Sequence, residues 1–244
     1  MEKLNKNTVE FLQTLIKTCS LCGIDAVAIQ SDVIRGQSTD SSRGTFLLET
    51  ETIPKFEFNG MGIGRVKTLG TRINILDSSE LIMSFAPKER DNGDIIATKL
   101  QLSSNKTKIE FTCSDPLKIK APKSFKDPVC YSFDIENDTL KIMSKASLAI
   151  DSTKITFSSE KDGTITFKTA DVGGDMFEHI IAKKYSITDE APKPHFLFSY
   201  EIKFILPLFK AVMDTHGQLT VHISTRGVLK VTVNGFNIYI LPEN

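Results

Sequence analysis

Short runs of alternating apolar and polar residues recur along most of this chain, and a period of two predicts strands. With turn residues as boundaries, strands are expected at 24–30, 45–51, 55–58, 80–85, 94–103, 107–113 and 130–135. Further strands are expected at 153–158, 164–169, 177–186, 195–200, 218–224, 228–233 and 236–241. Lys161-Asp162-Gly163 and Asn234-Gly235 supply hairpin turns between later members of this series. Helical periodicity occurs in four places, spaced through the chain. Over 8–18, Val9, Leu12, Leu15, Ile16 and Cys19 share one face, opposite Glu10, Thr14 and Lys17. A short, glycine-flanked helix is expected over 63–69. A third spans 139–150, gathering Ile142, Met143, Ala146, Ala149 and Ile150, with Asn137 or Asp138 as N-cap. The fourth lies within 201–213, turning Phe204, Ile205, Leu208 and Val212 inward and placing Pro207 in its first turn.

The order of elements repeats. Phe56-Glu57-Phe58, Phe133-Asp134-Ile135 and Phe196-Leu197-Phe198 each begin a short strand that leads into a helix. Each half then holds two helices and a larger set of strands. Residues 114–128 are rich in Pro and Lys and poor in strand pattern, so they read as a linker. The expectation is an α+β protein of two similar domains, 1–113 and 129–244, each with two helices packed on antiparallel sheets.

Composition narrows the function. Of 244 residues, 40% are hydrophobic, enough for a real core, and no apolar run approaches the length of a membrane span. The start leads into a helix and not a signal peptide, so the expected compartment is the cytoplasm, a host's if the protein is viral. Thirty basic and 30 acidic residues cancel, which excludes a protein basic all over but not one whose charge is sorted by surface. Cys19, Cys22, Cys113 and Cys130 are too scattered for a disulfide framework, and Cys19-Ser-Leu-Cys22 is half a zinc site with no second half. Cys19 also belongs to the first helix's apolar face, so buried thiols are expected and no metal. Gly60-Met-Gly-Ile-Gly64 has neither dinucleotide-fold nor phosphate-loop spacing and reads as a turn before a helix. No nucleophile elbow or His-Glu-x-x-His motif occurs, so neither catalytic residues nor a cofactor are expected.

The chemistry lies in the helices' polar faces. Lys141 and Lys145 are one turn apart on the third helix, Lys203 and Lys210 stack on the fourth, and Arg65 and Lys67 decorate the second. Solvated helix faces usually mix acids with bases for i,i+4 support. These read as acid-free, and with Lys17 they suggest a row of cations facing phosphates. An ordinary solvated face remains the alternative for any single lysine.

These features together resemble a known family, the sliding clamps, and most closely the T-even-phage type, the DNA polymerase processivity factor of those viruses. The likeness is carried by Lys3-Leu-Asn-Lys-Asn-Thr-Val-Glu-Phe-Leu12, by Phe58-Asn59-Gly60-Met-Gly-Ile-Gly64, and by Asp115-Pro116, Ala121-Pro122 and Pro128-Val129 in the linker. Proliferating cell nuclear antigen is also similar, at Gln37-Ser38-Thr39-Asp40-Ser41-Ser42 with Thr45-Phe46-Leu47-Leu48, at Leu208-Phe209-Lys210-Ala211 and at Tyr239-Ile240-Leu241-Pro242.

The resemblance implies a non-enzymatic homotrimeric ring of six similar domains, helices lining the hole and sheets outside. Such a ring encircles double-stranded DNA without sequence preference, tethers the replicative DNA polymerase, and is opened by an ATP-driven clamp loader. It implies DNA contact through Lys17, Arg65, Lys67, Lys141, Lys145, Lys203 and Lys210. Subunit contact would run along two edge strands, 107–113 (Lys108, Ile109, Phe111, Cys113) and 177–184 (Phe177, His179, Ile181). Partners would dock on Leu117, Ile119, Pro122, Leu241 and Pro242, with Arg43 and Gly44 at the rim. The lysines at 118, 120, 123 and 126 depart from the acidic linker of the cellular clamp. A monomeric DNA-binding processivity factor of related fold and a structural β-rich virion protein remain open; an enzyme ranks last.

Overall fold

The computed structural model describes residues 1–31, 33–38, 45–50, 52–76, 80–122, 125, 127–160, 162, 164–182, 186–187 and 195–243. Two compact units form within it, one built on the described residues of 1–41, 46–123 and 234–236, the other on those of 42–45, 124–233 and 237–244. The first runs β1 (Glu2–Lys3), α1 (Lys6–Leu21), β2 (Ala26–Gln30), β3 (Val33–Gln37), β4 (Thr45–Thr50), β5 (Gly60–Ile63), α2 (Val66–Ile73), β6 (Ile82–Glu89), β7 (Ile95–Ser104) and β8 (Thr107–Thr112). The second runs β9 (Val129–Ile135), α3 (Asn137–Ala149), β10 (Lys154–Ser159), β11 (Ile165–Ala170), β12 (Met176–Ala182) and β13 (Ser186–Ile187). It continues with β14 (Leu197–Glu201), α4 (Ile202–His216), β15 (Leu219–Ser224), β16 (Leu229–Val233) and β17 (Phe236–Ile240).

The two units share one wiring. In the first, β2 pairs with β3 and β5, and β3 with β4; β6 lies between β1 and β7, and β7 carries β8. In the second, β10 pairs with β11 and β14, and β11 with β12; β15 lies between β9 and β16, which neighbours β17. Each unit is therefore a repeat of the same α+β plan, with α1 packed on α2 and α3 on α4. A parallel contact of β5 with β7 is peculiar to the first unit, and β13 on β9 to the second.

Period and burial agree best in α1, where Val9, Leu12, Leu15, Ile16 and Cys19 are all buried. Asn5 caps this helix by accepting from Thr8 N at 3.0 Å. The carboxylate of Glu57 in turn accepts from Asn5 N (2.9 Å) and Thr8 Oγ1 (3.1 Å). Phe56-Glu57-Phe58 is thus no strand: it is a bend committed to capping α1, and the strand leading to α2 is β5. The run 60–64 is no simple turn either. Gly60, Met61, Gly62 and Ile63 are buried, and Ser114 crosses Gly62 with backbone bonds in both directions, 3.0 and 2.7 Å. A Cβ on Gly62 would stand 2.6 Å from the Ser114 oxygen, so the glycine is there to let two backbones touch.

Other differences have equally local causes. The second helix starts three residues later than its pattern suggests, because β5 consumes Ile63. The N-cap of α3 is Glu136, not Asn137 or Asp138, and its side chain makes no cap bond. Ala149, expected inward, is exposed. Pro207 sits inside α4 rather than in its first turn, on an exposed position where solvent can serve the Lys203 carbonyl that loses its partner. The strand at 33–37 escapes a period-two reading, since Arg35, Gly36 and Gln37 interrupt its apolar pattern.

The segment read as a linker starts as part of the first unit. Asp115 accepts from Leu117 N at 2.9 Å to cap a 3-10 turn, Pro116–Lys118, and pairs with Arg90. These bonds, the one from Leu117 N first, hold the Asp115 carboxyl below its ordinary pKa.

Candidate nucleic-acid interface and assembly edges

All seven cations assigned to phosphates are exposed. Packing decides this within each helix: α4, for example, buries Ile205, Leu208, Phe209, Ala211, Val212 and Met213, leaving Lys203 and Lys210 on the remaining side. In the first unit the fold draws two of the cations to one place. Lys17 of α1 and Lys67 of α2 line a groove of about 650 Å³ between the helices, over a floor that includes Ile16, Leu21, Ile73 and Leu76. Gly70 makes the helices' close approach possible: a Cβ there would stand 3.1 Å from Ser20 Oγ and 3.4 Å from Ile16 Cγ2.

The helices are not acid-free, contrary to the sequence reading. Lys141 pairs with Asp138 at 2.9 Å in α3, and Lys203 with Glu201 at 2.7 Å at the start of α4. Asp138, drawn by Lys141, titrates below the ordinary carboxylate range. Asp214 also lies within α4. Among the described residues no ion pair involves Lys17, Lys67, Lys145 or Lys210. Arg65 faces the β8 side chain Phe111, its guanidinium carbon 5.3 Å from the ring centroid.

The strands assigned to subunit contact lie at sheet edges. Among the described residues β8 pairs only with β7 and β12 only with β11. Phe111 is buried, Lys108 exposed, and Ile109 and Cys113 in between, the thiol of Cys113 pushed up to about 12 by burial. On β12, Phe177 and His179 are half-buried around Phe167. The outer face of that strand is mixed: Met176 and Ile180 are 62% and 54% exposed, Glu178 between them pairs with Lys168 at 3.2 Å, and Val172, in the turn before the strand, is fully exposed. Sequence reasoning missed Met176 and Ile180 because it chose the inward-facing parity, Phe177, His179 and Ile181, and missed Val172 because it lies in the turn before the strand. Residues 183 and 184 lie outside the described residues, as do Arg43 and Gly44 of the partner-site reading.

Leu117 is 65% exposed on the 3-10 turn of the first unit, where Ile119 and Pro122 are half-buried. Leu241 and Pro242 are half-buried in the second unit. That unit also holds a pocket of about 570 Å³ of mixed lining, with Tyr131, Phe196, Leu197 and Phe198 as its apolar wall and Glu160, Lys168 and His195 among its polar residues. The sequence showed Phe196-Leu197-Phe198 as a strand start, and its 68% exposed Leu197 could not be told from a core residue.

Cys19 and Cys22 are buried free thiols, burial raising both and carrying Cys22 to about 12. Ser132 Oγ lies 2.8 Å from His222 Nδ1, but the nearby Asp134 takes its bond from Thr220 (2.6 Å) instead of the imidazole. These contacts form a cross-strand polar ladder between β9 and β15. Burial, then Lys230, holds the His222 pKa down against the pull of Asp134. No described helix is long and apolar enough to cross a membrane.

Two units of this wiring, each with a helix pair and antiparallel strand ladders, have the DNA sliding-clamp fold. Solved structures of that fold match nearly the whole chain. Proliferating cell nuclear antigen (PCNA) of Thermococcus kodakaraensis aligns over 99% of both chains with a TM-score of 0.61 at 12% identity. The A. fulgidus PCNA structure with the C-terminal region of FEN-1 bound aligns over 96% of both, TM-score 0.61, 11% identity. The DNA polymerase III β subunit of Borrelia burgdorferi gives 0.67 at 13% identity, over 96% of this chain and 62% of that one. No protein-family model matches the sequence, and no curated protein matches it.

Proposed function

We propose that this protein is a sliding clamp: a homotrimeric ring that encircles duplex DNA and tethers the replicative DNA polymerase, in viral DNA replication of the T-even-phage type. The carrying observation is the end-to-end likeness to a PCNA chain together with exposed cations on all four helices of a neutral protein. In a ring with the helices inward, Lys17, Lys67, Lys145 and Lys210 meet phosphates directly. Lys141 can exchange its exposed Asp138 partner for a phosphate, since such a surface pair is worth only about 0–1 kcal/mol, and Lys203 must leave the half-buried Glu201 to do the same. Phosphate contacts carry no sequence information, so the ring slides, and closure does the retaining. Arg65 stays in the DNA-facing set, though Phe111 competes for it.

Ring closure runs head to tail, β8 of one copy against β12 of the next, which removes both open edges. The exposed Met176 and Ile180 then gain cover. The polymerase docks through an apolar peptide on Leu117, Ile119, Pro122, Leu241 and Pro242, with Arg43 and Gly44 at the rim; the pocket at Tyr131 and Phe196 is a further seat for such an anchor. An ATP-driven loader opens the ring onto DNA. No step calls for a cofactor.

Solution mass tests the reading. Sedimentation equilibrium at micromolar concentration should give about three times the 27.1 kDa chain mass. A strictly monomeric particle would overturn the ring in favour of a monomeric processivity factor.

A further inference from the structure

We infer that Arg72 guards the outer edge of β8, occupying a backbone acceptor that a second copy of this chain must take when its strand docks there. The inference rests on the ring proposed above and adds to it a residue that sets how readily the ring closes.

The direction of each β8 peptide group follows from one bond and the register. Cys113 N donates to Thr98 O at 2.9 Å, so that pair is hydrogen-bonded towards β7. Counting back through Lys99↔Thr112, Leu100↔Phe111 and Gln101↔Glu110, the main-chain groups of Phe111 and Ile109 face β7. Those of Thr112, Glu110 and Lys108 face away, on the open edge. One of these outward groups is already engaged, and not by a strand: Arg72 Nη1 donates to Glu110 O at 3.0 Å.

Arg72 is held where it can do this. It lies in the last turn of α2, and its guanidinium carbon stands 5.7 Å from the centroid of the buried Phe111 ring, which Arg65 also approaches. The cation–ring attraction positions the side chain, and its planar fork reaches over the strand to the carbonyl. An unpaired strand edge is a template for any extended chain, and a charged side chain laid across it is a known way of blunting that hazard.

The same bond must break on assembly. A carbonyl has a second lone pair, but paired strands lie about 4.8 Å apart, which leaves no room for a guanidinium between them. A docking strand therefore displaces Arg72. The long side chain can swing out with no change in the backbone, so the cost of closure is about one exposed hydrogen bond, and wrong strands that offer fewer contacts do not repay it.

The test is the subunit association constant of Arg72→Gln against wild type, by sedimentation or mass photometry across a dilution series. Removing the guard should tighten association about fivefold, the equivalent of about 1 kcal/mol for one net hydrogen bond. Arg65→Gln, which leaves the Glu110 bond in place, should leave association unchanged. Equal or weaker association of Arg72→Gln, with an unchanged melting temperature, would overturn the guard. Tightening by Arg65→Gln to the same degree would overturn it too, by moving the cause to Phe111. If Arg72→Gln does not fold, Arg72→Met, which keeps an apolar stem over Phe111 but has no donor for the Glu110 carbonyl, reads the same equilibrium and should also tighten it. A wild-type chain that stays monomeric at every concentration removes the ring itself, a result told apart by the wild-type series alone.

Discussion

At the scale of single residues, the seven cations are not equivalent. Lys17 and Lys67 converge on one groove with no ion pair among the described residues, whereas Lys141 and Lys203 each hold a carboxylate under 3 Å away. A phosphate meeting the first pair displaces only water and mobile ions; one meeting the second must also displace an acid. On this ground Lys17→Gln with Lys67→Gln should lower the salt dependence of DNA binding more than Lys141→Gln with Lys203→Gln. Each phosphate left without its cation reduces the slope of log affinity against log salt by about 0.9. The measurement is a salt titration of each double variant on short duplex DNA. Equal slopes for the two variants would refute the ranking. The sequence put these lysines on exposed faces because helical period settles exposure. It could not show which are paired, because Asp138 and Glu201 stand at helix starts, where a wheel drawn for the interior leaves them out.

At the scale of elements, legibility followed how far each element depends on its own residues. Helix α1 was readable because its stripe is complete and its neighbours need nothing unusual from it. Strand β5 was hidden because its glycines answer to the chain crossing above it: Gly62 is dictated by Ser114, 52 positions away, and no local pattern carries that. Segment 56–58 misled for the same reason, its carboxylate being spent on a helix cap far back in the chain. The edge strands test the assembly at this scale. Asp171 N donates to Asp175 O, and the register from Ala170↔Met176 onward makes the peptide groups of Met176, Glu178 and Ile180 point away from β11. Proline at Glu178, or at Glu110 on β8, deletes an outward N–H and spares the inward ladder, the one place in a sheet where proline is tolerated. Glu178→Pro and Glu110→Pro should each fold, with a circular dichroism spectrum like wild type, and yield monomers on a sizing column. A folded variant that remains trimeric would show that these strands do not close the ring.

For the whole molecule, neutrality and retention have to be reconciled. A chain with 30 bases and 30 acids has no net charge with which to hold DNA, and a monomer relying on a local face of exposed lysines would lose its grip as salt rises. A closed ring needs no such grip, because leaving a circular duplex requires a subunit boundary to open. Salt and topology therefore separate the two ways of staying on DNA. Once loaded by its cognate loader, the protein should persist on nicked circular DNA at a salt concentration that abolishes its binding to linear duplex. Linearising the circle with a single cut should release it within the time needed to slide to an end. Retention that falls with salt identically on both forms would mean that surface attraction alone does the holding, and the two-unit fold would then serve as a monomeric processivity factor.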